Sequence, residues 1–447
     1  MASSSHTARF WSSLALLFAL VGAAAMVYYH QGLLIPRANA VLASQGLGNG
    51  YSFGNDLYPF WLSAREFQRT RLDPYSAEMT RAIQVGLYGR PLDPRRVGDP
   101  VDQHGFLYPA FTDLLLWPTT LVAFPTMRAW VVAVLAALTL WSVVLWARAL
   151  ALALVWHLSA TWTAVAALLT MSSYPVLEGL YSGQLGLLVA FLLAAAAVAL
   201  RREKFLLAGV LMAVATIKPQ VTVVLIGYLL LWACARWRVR KKFAIGFVVT
   251  LTLLVGASLA VMPHWISSWT QALAAYRQYT RPPLVAEILV APLGPRLGPM
   301  AALVLTGTAL VTAAVLAWKN RSEAADSLAF WRTIALMLAI TTVVILPGQA
   351  VYDHVILIPG ILLLAGYASG LKDATAVRRV LFGIGALILF WSWIAAVALV
   401  VQRPFLSPGV FQSTVVFSLP LRAVASLPFA VVALLFLTPR AMTKEAA

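Results

Sequence analysis

The sequence predicts an all-α, polytopic integral membrane protein with about twelve transmembrane helices. Hydrophobic residues make up 61% of the chain and charged residues only 11%, whereas a typical soluble protein carries about 25% charged residues. Apolar runs of roughly 17–25 residues, each able to cross a ~30 Å hydrocarbon layer as a helix, recur along the whole chain. Short clusters of lysine and arginine separate these runs. Together these observations exclude a soluble fold.

We expect the helices at roughly 10–29, 126–147, 158–174, 185–200, 205–218, 220–235, 243–262, 299–318, 331–346, 355–368, 379–401 and 420–437. The first run follows Arg9 as in a signal peptide, but it is nearly 20 residues long and lacks a clear small-residue cleavage site after it. We therefore expect it to be retained as the first helix. The chain, 1–447, is expected to form a single membrane-embedded domain.

The net charge of +17 is distributed as in a membrane protein. The basic clusters lie between the apolar runs, at 201–204, 236–242, 319–321, 378–379 and 440–444. Lysine and arginine concentrate in cytoplasmic loops, so these clusters predict that both termini are cytoplasmic. We expect a multi-pass protein of the plasma (inner) membrane. The expected partner is the lipid bilayer and not a nucleic acid. The single cysteine, Cys234, offers neither a disulfide nor a thiolate metal site.

The loop after the first helix, predicted at 30–106, is long and is expected to be extracytoplasmic. Residues 56–113 hold eight of the sixteen acidic residues of the chain. Loops of this length are more often functional than simple connections, and the many aromatic residues argue against disorder. We expect an amphipathic helix with Pro59 in its first turn and a stop at the Asp73-Pro74-Tyr75 turn. This helix is expected to lie along the outer membrane surface.

The next segment, 107–123, is apolar enough to enter the bilayer but is short and interrupted by Pro118. A full crossing here would reverse every later loop against the charge pattern. We expect a re-entrant or partly inserted helix pair, because protein can bury irregular backbone at that depth. The alternative is a true crossing, with a helix boundary misplaced between 126 and 174.

The stretch GNDLYPFW, at 54–61, places the carboxylate of Asp56 among three aromatic residues. One interpretation is that Asn55 or Asp56 caps the amphipathic helix, because Asn and Asp are preferred at that position. The other is that Asp56 is a general base at the water–lipid boundary, where aromatic rings can stack on a sugar. The two interpretations do not exclude each other, and the local sequence does not decide between them.

The order of short motifs along the chain extends this observation. The stretch GNDLYPFWLSAREF contains Asp56 and, further on, the three residues Ser63-Ala64-Arg65. It is followed by LDPY. Later come FLYPA at 106–110, YSGQLG at 181–186, Lys218-Pro219 before the basic hairpin at 236–238, and YDH at 352–354. This series resembles the polyprenol-phosphate-dependent mannosyltransferases of glycosyltransferase family 87. Two positions depart from the usual pattern: Ala110 replaces a second proline, and Gly186 stands where asparagine is common.

The resemblance implies a C-type membrane glycosyltransferase fold and transfer of a hexose, usually mannose, from a polyprenyl phosphate. Transfer would take place on the extracytoplasmic face with inversion, and Asp56 would be the catalytic base. The acceptor could be a glycolipid, a polysaccharide or a protein. The residues agree with this chemistry, because a lipid phosphate is already a good leaving group and one carboxylate can deprotonate the acceptor.

Six further residues are candidates for binding the donor or the substrate. Lys218 lies at a predicted outer helix turn, where it would contact the donor phosphate or else extend to the lipid headgroups. The others are His354 and Asp353 before a late helix, Arg65, Tyr181 and Gln184. Each also has a structural interpretation, such as a polar helix end, a surface ion pair or a contact between helices.

Other chemistries find little support in the sequence. It lacks a glycine-rich phosphate loop, HExxH and GxSxG, and an activated phosphate donor requires neither a metal nor a cofactor. A secondary transporter or lipid-carrier flippase is the main alternative, but the long acidic loop and the lack of an evident repeat argue against it. A non-enzymatic assembly partner would leave Asp56 and Lys218 without a role.

Overall fold

Helices form nearly all of the regular structure. The structure, a computed structural model, describes residues 2–48, 52–93, 95–154, 159–368, 371 and 374–438. Within these ranges the only strand-like pairing is one antiparallel bridge between Leu284 and Pro347. The predicted all-α class is confirmed. The basic cluster predicted at 440–444 lies outside the described residues.

The α-helices of the described residues are α1 Ala2–Val27, α2 Ile35–Ser44, α3 Tyr58–Thr70, α4 Ala77–Tyr88, α5 Phe111–Leu116, α6 Phe124–Leu154, α7 Ala160–Ser172, α8 Tyr174–Ser182, α9 Gly186–Arg201, α10 Phe205–Val214, α11 Pro219–Ala235, α12 Trp237–Val261, α13 Trp265–Thr280, α14 Val285–Val290, α15 Gly294–Lys319, α16 Leu328–Val344, α17 Ile358–Tyr367, α18 Ala376–Gln402, α19 Pro408–Phe411, α20 Thr414–Phe417 and α21 Leu427–Leu437. Short 3₁₀ turns lie at Asn55–Leu57, Trp117–Leu121, Ala215–Ile217, Ala291–Leu293, Val351–Leu357, Arg403–Phe405 and Leu419–Leu421.

Five helical stretches of the described chain are long and apolar enough to cross a membrane: Phe10–Ser44, Phe124–Ala151, Trp237–Val261, Val285–Lys319 and Ala376–Phe405. The pair α8 and α9 makes a sixth if it is one span, and it is bent by 118°. The shorter apolar helices are Ala160–Met171, Phe205–Ile217, Pro219–Ala235, Leu328–Val344, Val351–Tyr367 and Leu427–Leu437. Each of the twelve predicted segments overlaps one of these helices. By length and composition the structure supports five or six crossings, and twelve stays a prediction.

The first helix is longer than its sequence predicts. A π-helical turn, Tyr28–Leu34, joins α1 to α2, so the helix continues to Ser44 and the loop predicted from residue 30 begins after it. The polar residue His30 can lie inside this helix because its Nε2 atom is 3.0 Å from the Glu178 Oε2 atom of α8. Buried polar groups need hydrogen-bond partners. Because the imidazole of His30 has one, the helix can continue past this residue.

The long loop contains the two helices α3 and α4, and the segment after it is irregular. Helix α3 buries Phe60 and Ala64 against the core, as its amphipathic pattern predicts. The segment predicted as a short, interrupted helix pair forms α5 and a 3₁₀ turn, Trp117–Leu121. Neither piece is long enough to cross a bilayer.

The breaks in several helices lie close together in the structure. Helix α8 turns sharply into α9 at 183–185, and Lys218 separates the 3₁₀ turn Ala215–Ile217 from α11. The 3₁₀ turn Val351–Leu357 packs against α8 and α9, and the turn Asn55–Leu57 packs against α8. Side chains from four distant parts of the sequence therefore meet beside the bend between α8 and α9.

Candidate active site

A cavity of about 780 Å³ lies beside these helix interruptions. The charged side chains that line it are Asp56, Asp102, Asp353, Lys218, Arg277 and Arg281. Aromatic rings from Phe60, Tyr108, Trp269 and Tyr276 line it as well. The cavity thus combines carboxylates, cations and flat apolar surfaces, and a largely apolar lining with a few polar groups is usual for ligand-binding sites.

Asp56 is held by the bend of the helix pair and not by its own helix. The backbone N–H of Gly54 donates to the Tyr181 carbonyl at 2.7 Å, which ties the turn containing Asp56 to the end of α8. The Asp56 Oδ2 atom accepts a hydrogen bond from the Gln184 Nε2 atom. Helix α3 has Leu57 at its N-cap and no side-chain cap. The interpretation of Asp56 as a helix cap is therefore wrong.

Gln184 reaches Asp56 because α8 ends in a glycine. Gly183 has a φ of +78°, in the left-handed region that L side chains rarely adopt. A Cβ atom at this position would also lie 2.5 Å from the Leu57 Cγ atom. Glycine thus allows both the sharp turn and the close packing of this turn against the residue that follows Asp56.

Lys218 and Asp353 form a buried ion pair at the base of the cavity. The Lys218 Nζ atom lies 2.7 Å from Asp353 Oδ1 and 2.9 Å from Oδ2, and the two side chains are 3% and 1% exposed. The same Nζ atom donates to the Gln184 Oε1 atom at 3.3 Å. It also lies 4.6 Å from the centre of the Tyr352 ring. This geometry excludes the predicted alternative in which Lys218 extends to the lipid headgroups.

Four of the predicted site residues therefore form one hydrogen-bonded row, in the order Asp56, Gln184, Lys218 and Asp353. We refer to these four side chains as the polar row. All four line the cavity. Asp56 lies at one end of the polar row, and the row continues from it through Gln184 and Lys218 to Asp353.

The cavity environment affects the protonation of Asp56. Although part of its surface remains exposed, the surrounding protein desolvates the carboxyl group, and this raises the pKa of Asp56. Nearby His104 and the hydrogen bond from Gln184 act in the opposite direction. A raised pKa makes a carboxylate a stronger base than it is in water.

Three predicted residues do not reach the cavity. The Arg65 side chain is exposed and lies over the Trp61 ring, with its guanidinium carbon 4.8 Å from the ring centre. The Tyr181 ring packs near Phe53, and this residue contributes through its backbone carbonyl. His354 is buried, and both ring nitrogens lack a hydrogen-bond partner among the described residues.

The sequence did not identify two arginines that line the cavity, Arg277 and Arg281. They lie at the end of α13, which the Trp269 Nε1 atom fixes by donating to the Leu107 carbonyl at 2.9 Å. Both lie between the apolar runs predicted at 243–262 and 299–318, on the side opposite the basic cluster at 236–242, where lysine and arginine are uncommon. This departure from the charge pattern is the feature of the sequence that could have identified Arg277 and Arg281 as candidate site residues. Among the described residues, no group of three or more His, Cys, Asp or Glu is placed to hold a metal ion.

The fold and the cavity define a polytopic helical membrane protein whose site combines a partly buried carboxylate with cationic side chains. The family model of glycosyltransferase family 87 matches residues 106–347, and the chain belongs to this family, as its sequence motifs predict. The matched range includes Gln184 and Lys218 and excludes Asp56 and Asp353. No curated protein and no solved structure matches the chain. The protein is therefore a membrane glycosyltransferase.

Proposed function

We propose that the protein transfers a hexose, mannose by preference, from a polyprenyl phosphate to an acceptor at the extracytoplasmic face of the plasma membrane. Asp56 is the general base, and the sugar is transferred with inversion. The observation that carries the proposal is the position of the Asp56 carboxylate, on the cavity wall and held by a hydrogen bond from Gln184. The proposal includes twelve crossings, a C-type fold and both termini in the cytoplasm. This topology would place the cavity at the extracytoplasmic face.

The reaction needs one proton transfer and one displacement. Asp56 accepts the proton of the acceptor hydroxyl as that oxygen bonds to the anomeric carbon of the sugar. The bond between the anomeric carbon and the phosphate oxygen breaks, and its electrons leave with the polyprenyl phosphate. With the carboxylate on the face opposite the leaving group, the acceptor oxygen attacks from that face and the anomeric configuration is inverted in a single step.

The contacts of Asp353 argue against a covalent intermediate on this carboxylate. Both oxygens of Asp353 contact Lys218, so this carboxylate is engaged and is a poor nucleophile. The leaving lipid phosphate needs no protonation, because it is already a stable anion, so the reaction requires no acid catalyst. Membership of glycosyltransferase family 87 favours glycosyl transfer over the transporter or flippase alternative.

Positive charge for the leaving phosphate comes from Arg277 and Arg281, which line the cavity. Both side chains are exposed, and a guanidinium group suits the bidentate binding of phosphate oxygens. Lys218 has the same charge, but it is buried against Asp353. The acceptor hydroxyl would then approach from the side of Asp56.

The direct test is to incubate the purified protein with labelled polyprenyl-phosphate mannose and a panel of glycolipid, polysaccharide and protein acceptors. We expect label in one class of acceptor, and an anomeric configuration opposite to that of the donor. Polyprenyl-phosphate glucose, offered in parallel, tests the choice of hexose. Transport of the lipid-linked sugar without transfer to any acceptor would contradict the proposal.

A further inference from the structure

We propose that Lys218 and Asp353 are positioning residues that act on Asp56 through Gln184. Their ion pair fixes the side-chain amide of Gln184 in one orientation, and the amide in turn holds the Asp56 carboxylate against the cavity. This inference rests on the proposed function, because it takes Asp56 as the base. It gives Lys218 a different role from the phosphate contact that its sequence position predicts.

The hydrogen bonds of Lys218 are the first step of the argument. A lysine ammonium group has three N–H donors and no acceptor. The Lys218 Nζ atom lies within 2.7 to 3.3 Å of three oxygens, which are Asp353 Oδ1, Asp353 Oδ2 and Gln184 Oε1. Each N–H therefore has a partner inside the protein. A phosphate oxygen could bind Lys218 only by displacing one of them from a side chain that is 3% exposed.

The second step concerns the two ends of the Gln184 amide. The oxygen faces the ammonium group of Lys218 and the nitrogen faces the carboxylate of Asp56. A rotation of the amide by 180° would place N–H groups against the ammonium and an oxygen against the carboxylate, and both contacts would be repulsive. The ion pair therefore permits only the orientation in which Gln184 donates to Asp56.

The third step is the effect on Asp56. Gln184 binds the Oδ2 atom, and the described residues leave the Oδ1 atom free to accept the proton of the acceptor hydroxyl. A base held at one oxygen has a defined direction for the other, and errors of about 1 Å in such geometry can cost about 100-fold in rate. The ion pair carries no net charge, so its influence passes through hydrogen bonds and not through a long-range field.

The experiment removes the ion pair as a unit. The double variant Lys218→Met/Asp353→Leu replaces both charges by apolar side chains, because removing only one would leave a buried charge without a partner. It is compared with Gln184→Leu and with the triple variant that combines all three changes. For each protein we would measure donor binding, turnover and the pH profile of kcat/KM, after checking insertion and thermal unfolding.

We expect the double variant and Gln184→Leu each to lose about 10- to 100-fold in kcat, the scale of a hydrogen bond to a charged group. The triple variant should lose no more than the larger of these losses, since all three residues act through one hydrogen bond. Donor affinity should stay within about twofold of wild type. The acidic limb of the pH profile should move to higher pH, because the lost hydrogen bond stabilised the ionised carboxylate. The other charged groups that act on Asp56 are His104, Glu178 and Asp102, and they are unchanged.

Additive losses in the triple variant would overturn the proposal, as would a donor affinity weakened tenfold with an unchanged acidic limb. The second result would assign Lys218 to the phosphate. If the apolar pair does not insert, Lys218→Met/Asp353→Asn, which leaves no donor at position 218, tests the same expectations. A wild-type protein that is inactive with every donor contradicts the proposed function, whereas an active wild type with additive variants contradicts only this inference.

Discussion

The Cα atom of Gly186 faces the carboxylate of Asp353 so closely that a Cβ atom there would lie 2.1 Å from the Asp353 Oδ1 atom. It would also lie 3.4 Å from the Lys218 Nζ atom. The missing side chain makes the room that the ion pair occupies.

Gly186→Ala should therefore disrupt the polar row from outside it. The added methyl group forces Asp353 away from Lys218, and we expect about a tenfold loss of turnover and a destabilisation of about 1–3 kcal/mol, as for other overpacked sites. Turnover with the lipid-linked donor and thermal unfolding measure the two effects. Gly227→Ala is the matched control, since a Cβ atom at Gly227 meets nothing within 4 Å. Equal behaviour of the two variants would show that Asp353 has free space to move.

Asp56→Asn tests the base. Asparagine keeps the size of the side chain but cannot accept a proton, so we expect donor binding to persist while turnover falls by about 10²- to 10⁴-fold. Isothermal titration with the donor and a single-turnover assay separate these quantities. Asp326→Asn, at an exposed aspartate, is the control and should keep full activity. Near-normal turnover by a folded Asp56→Asn protein would refute the catalytic assignment.

The pH dependence follows from the environment of Asp56. Burial raises the pKa of this carboxyl group above the ordinary value of 3.8, and only the ionised form accepts a proton. Activity should therefore be complete above the raised pKa and fall as the pH drops through it. A pH profile of kcat/KM for the wild type measures this limb. An acidic limb at or below 3.8 would assign the step to another group.

Arg277 and Arg281 should control the use of the donor. Changing both to glutamine removes the charge from this side of the cavity, and we expect KM for the lipid-linked donor to rise by about 10- to 100-fold, as for charge-assisted hydrogen bonds. Arg65→Gln is the matched control, because Arg65 is an exposed arginine outside the cavity. Steady-state kinetics with the donor varied distinguish the three proteins. A larger effect at Arg65 than at the pair would reverse these roles.

Topology is tested by cysteine labelling in intact cells. In a Cys234→Ser background, Arg81→Cys should react with a membrane-impermeant reagent and Val239→Cys should not, because the basic cluster at 236–242 is expected to be cytoplasmic. Both native side chains are exposed in the structure, so burial does not prevent labelling. Labelling at 239 but not at 81 would place the cavity on the cytoplasmic side.

The sequence predicts the members of the site better than their contacts. Asp56, Gln184, Lys218 and Asp353 are all candidates from their motifs, and the structure brings them together. Their partners depend on how helices from distant parts of the chain pack, which local sequence does not encode. The sequence left Lys218 with two roles, and neither was an ion pair with Asp353.

The residues that miss the cavity do so for local geometric reasons. His354 follows Asp353 in a 3₁₀ turn, where successive side chains point about 120° apart, so the two cannot face the same cavity. Arg65 lies one helical turn after Trp61 and stacks on its ring. Neither orientation can be read from a motif. The contact of His30, inside the extended first helix, with Glu178 also joins distant parts of the chain and is not visible in the local sequence.

The polar row joins residues that are roughly 300 positions apart in the chain, and this has a consequence for biosynthesis. A ribosome adds about 5–20 residues per second, so about 15–60 seconds separate the appearance of Asp56 from that of Asp353. During this interval the nascent protein already contains Asp56, the proposed base, but lacks the Lys218–Asp353 ion pair that we propose positions it. Under the proposed mechanism the enzyme therefore reaches full activity only when the late helices that carry Asp353 have been inserted, and a chain that ends before Asp353 would lack the ion pair.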